Sequence, residues 1–97
     1  MATIRIIQYL RPNRREAYVY ADIPDELQDL AGELVISCEQ IPPDKAMIYA
    51  HRKGESAEDE LTELADNGPG ENSPDKALER LIRRFEKKPF KPVLDDQ

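Results

Sequence analysis

Several residue types that carry chemistry are scarce in this chain of 97 residues, which has no tryptophan, one cysteine, one histidine and four glycines. A single cysteine cannot form an internal disulfide, and this is typical of a protein from a reducing compartment. One histidine without cysteine partners cannot supply the ligand set of a zinc site. No glycine precedes a Lys-Ser or Lys-Thr pair, so the sequence has no P-loop, which disfavours nucleotide hydrolysis.

Long apolar runs are also missing. No stretch approaches the roughly 20 apolar residues that span a bilayer. The N-terminal ten residues are interrupted by Arg5 and are not followed by a small-residue cleavage site, so they do not resemble a secretory signal. We therefore expect a cytoplasmic protein that does not use a membrane as a partner.

Charge is plentiful but unevenly distributed. The net charge is −6, and an acidic balance disfavours binding to nucleic acid phosphates. Residues 54–75 hold eight acidic residues and no lysine or arginine. The length predicts one domain, which we place at residues 1–90. We expect residues 54–75 to form an acidic, partly mobile segment within it, and residues 91–97 to form a loose tail.

Alternating apolar and polar residues predict four strands. They cover residues 3–10, 16–22, 34–41 and 46–51. Turn-forming residues at Pro12, Asn13 and Arg14 separate the first two strands, and a Pro-Pro-Asp-Lys sequence separates the last two. The pattern therefore predicts two β-hairpins.

A short helix is predicted between the hairpins. Asp22 could accept the first backbone N–H groups, Pro24 suits a first helical turn and Gly32 suits the end. The spacing of Ile23, Leu27, Leu30 and Ala31 predicts one apolar stripe over two to three turns.

The clearest predicted element is a helix from Ser73 to about Lys88. Ser73 is a candidate N-cap, Pro74 suits the first helical position and Pro89 ends the pattern. Its apolar residues recur at helical spacing and predict one buried stripe: Ala77, Leu78, Leu81, Ile82 and Phe85.

Residues 57–66 are ambiguous. Ser56 could cap a helix with Leu61, Leu64 and Ala65 as its apolar positions, but the same residues could form an edge strand. The predicted fold is α+β, with element order β-β-α-β-β-(α or β)-α. Both hairpins lie in one mostly antiparallel sheet and the helices pack on one face. A β-grasp arrangement is a rival because it also begins with a hairpin and a helix.

Two residues are candidates for catalysis. Cys38 would need a nearby base to act as a nucleophile, and a free cysteine in a strand pattern is usually buried. His51 lies beside Arg52 and Lys53 and is expected at the surface. An enzyme would require one of them next to a carboxylate in a closed pocket. The sequence shows no such arrangement, so we predict no catalytic residues, no enzyme activity and no cofactor.

Oxygen donors cluster around a glycine-containing loop and raise the possibility of a hard cation site. Their spacing does not match an EF-hand loop, and we expect a solvated acidic linker without a metal. The donors are Asp66, Asn67, Glu71, Asn72 and Asp75.

Two sets of residues are candidates for binding a partner. Tyr18 and Tyr20 share one face of a predicted strand, where tyrosine either favours a protein interface or supports the sheet by cross-strand pairing. The second set lies on the last helix and could contact nucleic acid or an acidic protein: Arg80, Arg83, Arg84 and Lys87.

Two simpler explanations exist for the basic helix. Cations in the last turn of a helix interact favourably with its dipole, by about 0.3–1 kcal/mol each. These residues could also pair with the acidic segment of the same molecule. A second basic patch is predicted at the first turn, formed by Arg11, Arg14 and Arg15.

Two motifs resemble a group of small proteins of bacteriophages, prophages and their bacterial hosts. One is the Gln-Tyr-Leu-Arg-Pro-Asn sequence at residues 8–13. The other is Asn67-Gly68-Pro69, followed by Ala-Leu-Glu-Arg-Leu-Ile-Arg-Arg at residues 77–84. The resemblance implies no activity and no active-site residues. It favours a strand for residues 60–66.

These observations predict a non-enzymatic accessory protein of the mobile-element type that acts by protein–protein contact. The expected partner is another protein or a second copy of the chain. The alternative is a nucleic-acid-associated accessory factor that uses the basic C-terminal helix, which the net charge disfavours.

Overall fold

The computed structural model describes the backbone of residues 2–10 and 15–92 and the side chains of residues 2–8 and 17–92. The first predicted turn, at residues 11–14, and the end of the predicted tail, at residues 93–97, lie outside the described residues. The described chain forms five strands and two α-helices: β1 (Ala2–Leu10), β2 (Arg15–Ile23), α1 (Gln28–Ala31), β3 (Leu34–Ile41), β4 (Lys45–Arg52), β5 (Leu61–Asp66) and α2 (Pro74–Phe85).

All five strands belong to one mixed sheet in the order β2-β1-β3-β4-β5. Three neighbouring pairs are antiparallel, whereas β1 and β3 are parallel. The predicted α+β class and the mostly antiparallel sheet are confirmed, and β1–β2 and β3–β4, the strand pairs of the predicted hairpins, are both antiparallel. The parallel pair arises because β2 returns the chain to the end of the sheet where β1 starts, and β3 leaves from that same end.

The strands alternate between a buried face and an uncovered face, as the pleat requires. Even-numbered residues of β1, β3 and β4 and odd-numbered residues of β2 and β5 form the inner face. Most of the fully buried apolar strand residues are on it, including Ile6, Ile23, Ile36 and Ile48. The domain therefore has one core, between the inner face and the helices.

Helix α2 supplies the other side of this core. Its five stripe residues, Ala77, Leu78, Leu81, Ile82 and Phe85, are all 0% exposed. The helix contacts β5, β2 and β4. Full burial of one large apolar side chain contributes about 1.5–3 kcal/mol, so this stripe is a major source of stability.

Both predicted features at the start of α2 are confirmed. The Ser73 hydroxyl accepts a hydrogen bond from the backbone N–H of Lys76 at 3.4 Å, and Pro74 occupies the first helical position. The helix ends at Phe85, one turn earlier than expected. Pro89 explains part of this difference, because proline disfavours helical backbone in the residue before it.

The short helix begins later than predicted. Asp22 is not an N-cap: it lies in β2 and accepts a hydrogen bond from the Thr3 hydroxyl at 2.6 Å. Ile23 is also a strand residue, and Pro24 precedes a 3₁₀ turn at Asp25–Leu27 that leads into α1. The helix ends at Gly32 as expected. Pairing with β1 determines where β2 ends, because it satisfies the backbone groups that a helix start would need to cap.

The ambiguous segment forms a strand over Leu61–Asp66, so the helical alternative is wrong there. A 3₁₀ turn at Ala57–Asp59, capped by the Ser56 side chain, precedes β5. The backbone of β5 pairs with β4 from Ala50↔Leu61 to Lys45↔Asp66. The three apolar positions were too few to stabilise an isolated helix, whereas strand pairing buries Ala65 completely.

Candidate functional site

The face of the sheet opposite the helices carries no covering element among the described residues. We define the outward face as the odd-numbered residues of β1, β3 and β4 and the even-numbered residues of β2 and β5, within residues 3–7 and 18–66. None of the described residues on this face is buried. The fold therefore leaves one side of a five-stranded sheet open to contact.

Exposed apolar side chains are concentrated on the outward face. Six large apolar residues among the described ones are exposed, and only Phe90 lies elsewhere. The other five are Tyr18, Tyr20, Val35, Ile41 and Leu64. They lie on β2, β3 and β5, with polar side chains of the same face between them. A sheet face on which exposed apolar side chains are concentrated is a candidate interaction surface.

Tyr18 and Tyr20 are the two candidate interface residues of the predicted strand. Both lie on the outward face, because the alternation of side chains along β2 places its even-numbered residues there. Tyr18 is 55% exposed and Tyr20 is 65% exposed. The Arg5 guanidinium lies over the Tyr18 ring, 5.0 Å from its centroid, in a cation–π contact. The Tyr18 ring therefore contacts the Arg5 guanidinium on the neighbouring strand while about half of the residue remains exposed.

The charged groups of the outward face are largely paired within the chain. Lys45 forms an ion pair with Asp66, and the Tyr49 hydroxyl donates to Glu39 at 2.9 Å. The hydrogen bond from Lys45 is the main reason that the pKa of Asp66 lies below its usual range, and the same pair raises the pKa of Lys45. The outward face therefore combines apolar side chains with charged side chains that are largely paired within the chain. It does not present a strong electrostatic potential of one sign.

The basic residues of α2 are paired with carboxylates of the same molecule. Arg80 and Arg84 both contact Glu63 of the acidic segment, at 3.3 and 3.1 Å. Arg83 contacts Glu79 at 3.3 Å and Glu26 at 3.6 Å. Lys87 is exposed. Arg80 and Arg84 therefore pair with the acidic segment of the same molecule, which was one of the two simpler explanations. The positive charge of α2 is partly neutralised as a result.

The second predicted basic patch cannot be compared with these contacts. Arg11 and Arg14 lie outside the described residues, as does the side chain of Arg15.

An anchor between β4 and the end of α2 was not found by sequence reasoning. Arg52 donates from Nη2 to the Phe85 carbonyl oxygen at 2.7 Å and from Nη1 to the Lys88 carbonyl oxygen at 2.6 Å. Its guanidinium also lies 5.5 Å from the Phe85 ring centroid. Since the last carbonyls of a helix have no partner within it, Arg52 acts as their cap.

Glu55 completes this anchor. Its buried carboxylate accepts hydrogen bonds from the backbone N–H groups of Lys91, at 2.7 Å, and Arg52, at 3.4 Å. The Lys91 hydrogen bond is the main reason that the pKa of Glu55 is lowered; burial opposes this, and the bond from Arg52 and the nearby positive charges add to it. No local sequence pattern indicates the contacts with Phe85, Lys88 and Lys91, since these residues lie more than 30 residues from Arg52 and Glu55.

The two candidate catalytic residues are on opposite faces of the sheet. Cys38 is buried on the inner face, and burial, followed by the charge of Glu39, raises the pKa of its thiol. His51 is on the outward face, and its Nδ1 is within hydrogen-bond distance of the Arg52 carbonyl oxygen, at 3.0 Å. The fold therefore does not bring them together.

The predicted oxygen donors form contacts within and around the loop between β5 and α2. Asp66 pairs with Lys45, Asn67 donates to Gln40 at 2.6 Å, and Asn72 accepts from Arg80 at 2.5 Å. In the described part of the chain, no group of three or more His, Cys, Asp or Glu residues is arranged to hold a metal ion.

Comparisons with family models, with curated proteins and with solved structures find no match for this chain. Residues 2–10 and 15–92 contain no helix whose length and apolar character would allow it to cross a bilayer.

Proposed function

We propose that this chain is a non-enzymatic, cytoplasmic accessory protein of the mobile-element type that acts by contact with another protein through the outward face. The observation that carries the proposal is the concentration of exposed apolar residues on that face. Five of the six exposed large apolar side chains of the described residues lie there. Tyrosine is enriched at protein interfaces because it combines a large apolar ring with a hydroxyl that can bond to a partner.

The size of the outward face supports this proposal. With about 3.3 Å per residue along a strand and about 4.8 Å between strands, five strands of six to nine residues present roughly 600 Å². A stable interface takes about 800 Å² from each partner. The outward face by itself therefore corresponds to the lower end of the size range of specific interfaces, about 600 Å² per partner.

The nucleic-acid alternative has less support. Phosphate binding requires cationic side chains that can release counterions, and Arg80, Arg83 and Arg84 already contact carboxylates of the same chain. Arg5 and Lys45, the basic residues of the outward face, also have intramolecular partners. The net charge of −6 further disfavours approach to a polyanion.

Site-specific photocrosslinking in cells that produce the protein tests the proposal. A photoreactive amino acid at Ile41, on the outward face, is expected to give a discrete protein adduct that mass spectrometry identifies. The same group at Lys87, an exposed position just after α2, is the matched control and should give none. Adding Leu64→Lys, on the same face, should remove the Ile41 adduct.

Three outcomes would contradict the proposal. The first is the absence of any discrete adduct at Ile41. The second is equal labelling from Ile41 and Lys87. The third is an adduct with nucleic acid from Lys87 alone, which would favour the alternative function.

A further inference from the structure

Asn67 and Gly68 are adjacent in the exposed loop that joins β5 to α2. Asparagine is a chemically labile residue, and an asparagine before glycine is especially open to deamidation, because glycine has no side chain to hinder attack by its backbone nitrogen. A Cβ placed on Gly68 would meet no atom within 4 Å other than those of its chain neighbours. Both the sequence and the local space therefore permit the reaction.

The reaction needs only groups of these two residues and water. The backbone nitrogen of Gly68 loses its proton and attacks Cγ of Asn67, so that a new C–N bond closes a five-membered succinimide ring. The Cγ–Nδ2 bond breaks, and the side-chain nitrogen leaves as ammonia. Water then adds to either carbonyl of the ring and the corresponding C–N bond breaks, which leaves aspartate or isoaspartate at position 67.

The fold engages both reacting groups elsewhere. The Gly68 N–H donates to the Asp66 carbonyl oxygen at 2.8 Å, which makes Asn67 the central residue of a γ-turn. Nδ2 of Asn67 donates to Gln40 Oε1 at 2.6 Å and to the Lys45 carbonyl oxygen at 3.2 Å. Since a carbonyl oxygen can only accept, the Asn67 atom that faces it is the nitrogen, which is the atom that must leave. Attack and departure therefore both require that these bonds open first.

The backbone of Asn67 is held as well. Its N–H donates to the Asp44 carbonyl oxygen at 2.8 Å, in the turn between β3 and β4. We name these four hydrogen bonds of Asn67 and Gly68 the loop clamp. Three of them join the β5–α2 loop to residues that lie more than 20 positions earlier in the chain, so the loop clamp is a tertiary contact that local opening of the loop would break.

We propose that Asn67 is a deamidation site whose rate is set by opening of the loop clamp, and that deamidation then keeps the loop clamp open. The product at position 67 is a carboxylate, which has no proton to donate to Gln40 or to the Lys45 carbonyl oxygen. It also adds a negative charge next to Asp66, whose carboxylate already pairs with Lys45. The change is one-way, because the released ammonia is lost to solvent.

Peptide mapping by mass spectrometry measures the reaction in the full chain during incubation at pH 8. In urea-unfolded protein, aspartate and isoaspartate should appear at Asn67 faster than at Asn13 or Asn72, which precede arginine and serine. In native protein the rate at Asn67 should be lower by about ten-fold or more, since each hydrogen bond that must open contributes a factor of up to about ten.

Loss of one acceptor tests the loop clamp without touching the reacting atoms. Gln40→Ala should speed the native reaction by about two- to ten-fold, the factor that corresponds to one hydrogen bond, and should leave the unfolded rate unchanged. Gln28→Ala removes an exposed glutamine in α1 and is the matched control. Gly68→Ala should slow the reaction in both states, because a side chain hinders the attacking nitrogen. Circular dichroism confirms that each variant is folded.

Hydrogen exchange measures the consequence of the modification. Asn67→Asp supplies the product carboxylate directly. The backbone amides of residues 67 and 68 should exchange about two- to ten-fold faster in this variant than in the unmodified protein, because the loop clamp is open more of the time. Amides of residues 78–85, within α2, should not change.

Equal rates in native and urea-unfolded protein would overturn control by the loop clamp, and so would a native rate that Gln40→Ala leaves unchanged. Products at Asn13 or Asn72 while Asn67 stays intact would overturn the site itself. Unchanged exchange in Asn67→Asp would show that the carboxylate does not open the loop clamp. Failure of the proposed function is distinguishable, since deamidation requires no partner protein and would proceed in a chain that gives no Ile41 adduct.

Discussion

Arg52, at the end of β4, donates a hydrogen bond to the carbonyl oxygen of Phe85, the last residue of α2, at 2.7 Å. The same guanidinium binds the Lys88 carbonyl oxygen, so one side chain joins the sheet to the end of the helix. Because Phe85 is fully buried beneath it, this contact closes one end of the core.

Replacing Arg52 tests this cap. Arg52→Met keeps most of the side-chain volume but loses both hydrogen bonds to the helix end, so we expect the free energy of unfolding to fall by about 1.5–3 kcal/mol. Urea denaturation monitored by circular dichroism measures this. Lys53→Met, at the exposed neighbouring position, is the control and should stay within about 0.5 kcal/mol. Equal effects of the two substitutions would show that Arg52 does not cap α2.

Glu55 predicts an acid-sensitive component of stability. Its pKa in the folded chain lies below the ordinary value of 4.5, so its contribution is complete above that value and is lost as the pH falls through the lower, folded pKa. Glu55→Gln should therefore weaken the dependence of unfolding free energy on pH below about 4.5.

Urea titrations at several pH values between about 3 and 6 measure this effect, which follows from the lowered carboxyl pKa. Glu58→Gln removes an exposed carboxylate nearby and is the matched control. An unchanged pH profile in Glu55→Gln would contradict the linkage.

The buried stripe of α2 predicts a large loss on truncation. Leu81 is 0% exposed, and Leu81→Ala should lower the free energy of unfolding by about 2–5 kcal/mol, because it removes buried apolar surface and leaves a cavity. Lys87→Ala, at an exposed position just after the same helix, should change it by less than about 0.5 kcal/mol. A small effect at Leu81 would show that α2 does not pack on the sheet.

Cys38 is predicted to be chemically quiet in the folded protein. Burial raises the pKa of its thiol, and only the thiolate reacts rapidly with iodoacetamide. Alkylation at pH 8 should therefore be much slower in native protein than in urea-unfolded protein, as measured by mass spectrometry. Equal rates would indicate that β3 opens readily or that the thiol is accessible.

Local patterns predicted the elements whose interactions are close in sequence. The cap at Ser73 and the stripe through Leu78, Leu81 and Phe85 lie within one helix, so their periodicity identified its core face correctly. The alternation of residues 34–41 reproduced β3, since its apolar positions follow the pleat of one strand.

Contacts between residues that are distant in the sequence determined the elements that local patterns had left ambiguous or had placed incorrectly. Residues 61–66 form a strand because β4 provides a pairing partner, and Asp22 is a strand residue because β1 provides one. Neither partner is visible in a short sequence window.

The candidate sites also have some features that local patterns predict and others that depend on tertiary contacts. The alternation of Tyr18 and Tyr20 within β2 was sufficient to place both side chains on one face. That no described helix or strand covers this face depends on where α2 packs. The pairing of Arg80 and Arg84 with Glu63 depends on the loop that brings α2 beside β5.

The amino-acid sequence by itself therefore determined the class of the fold, most of its elements and the side chains that face the core, because backbone periodicity acts over a few residues. Only the tertiary structure decided the strand order, the Arg52–Glu55 anchor and which face of the sheet the helices cover. Those features depend on hydrogen bonds and packing between segments that the chain separates by tens of residues.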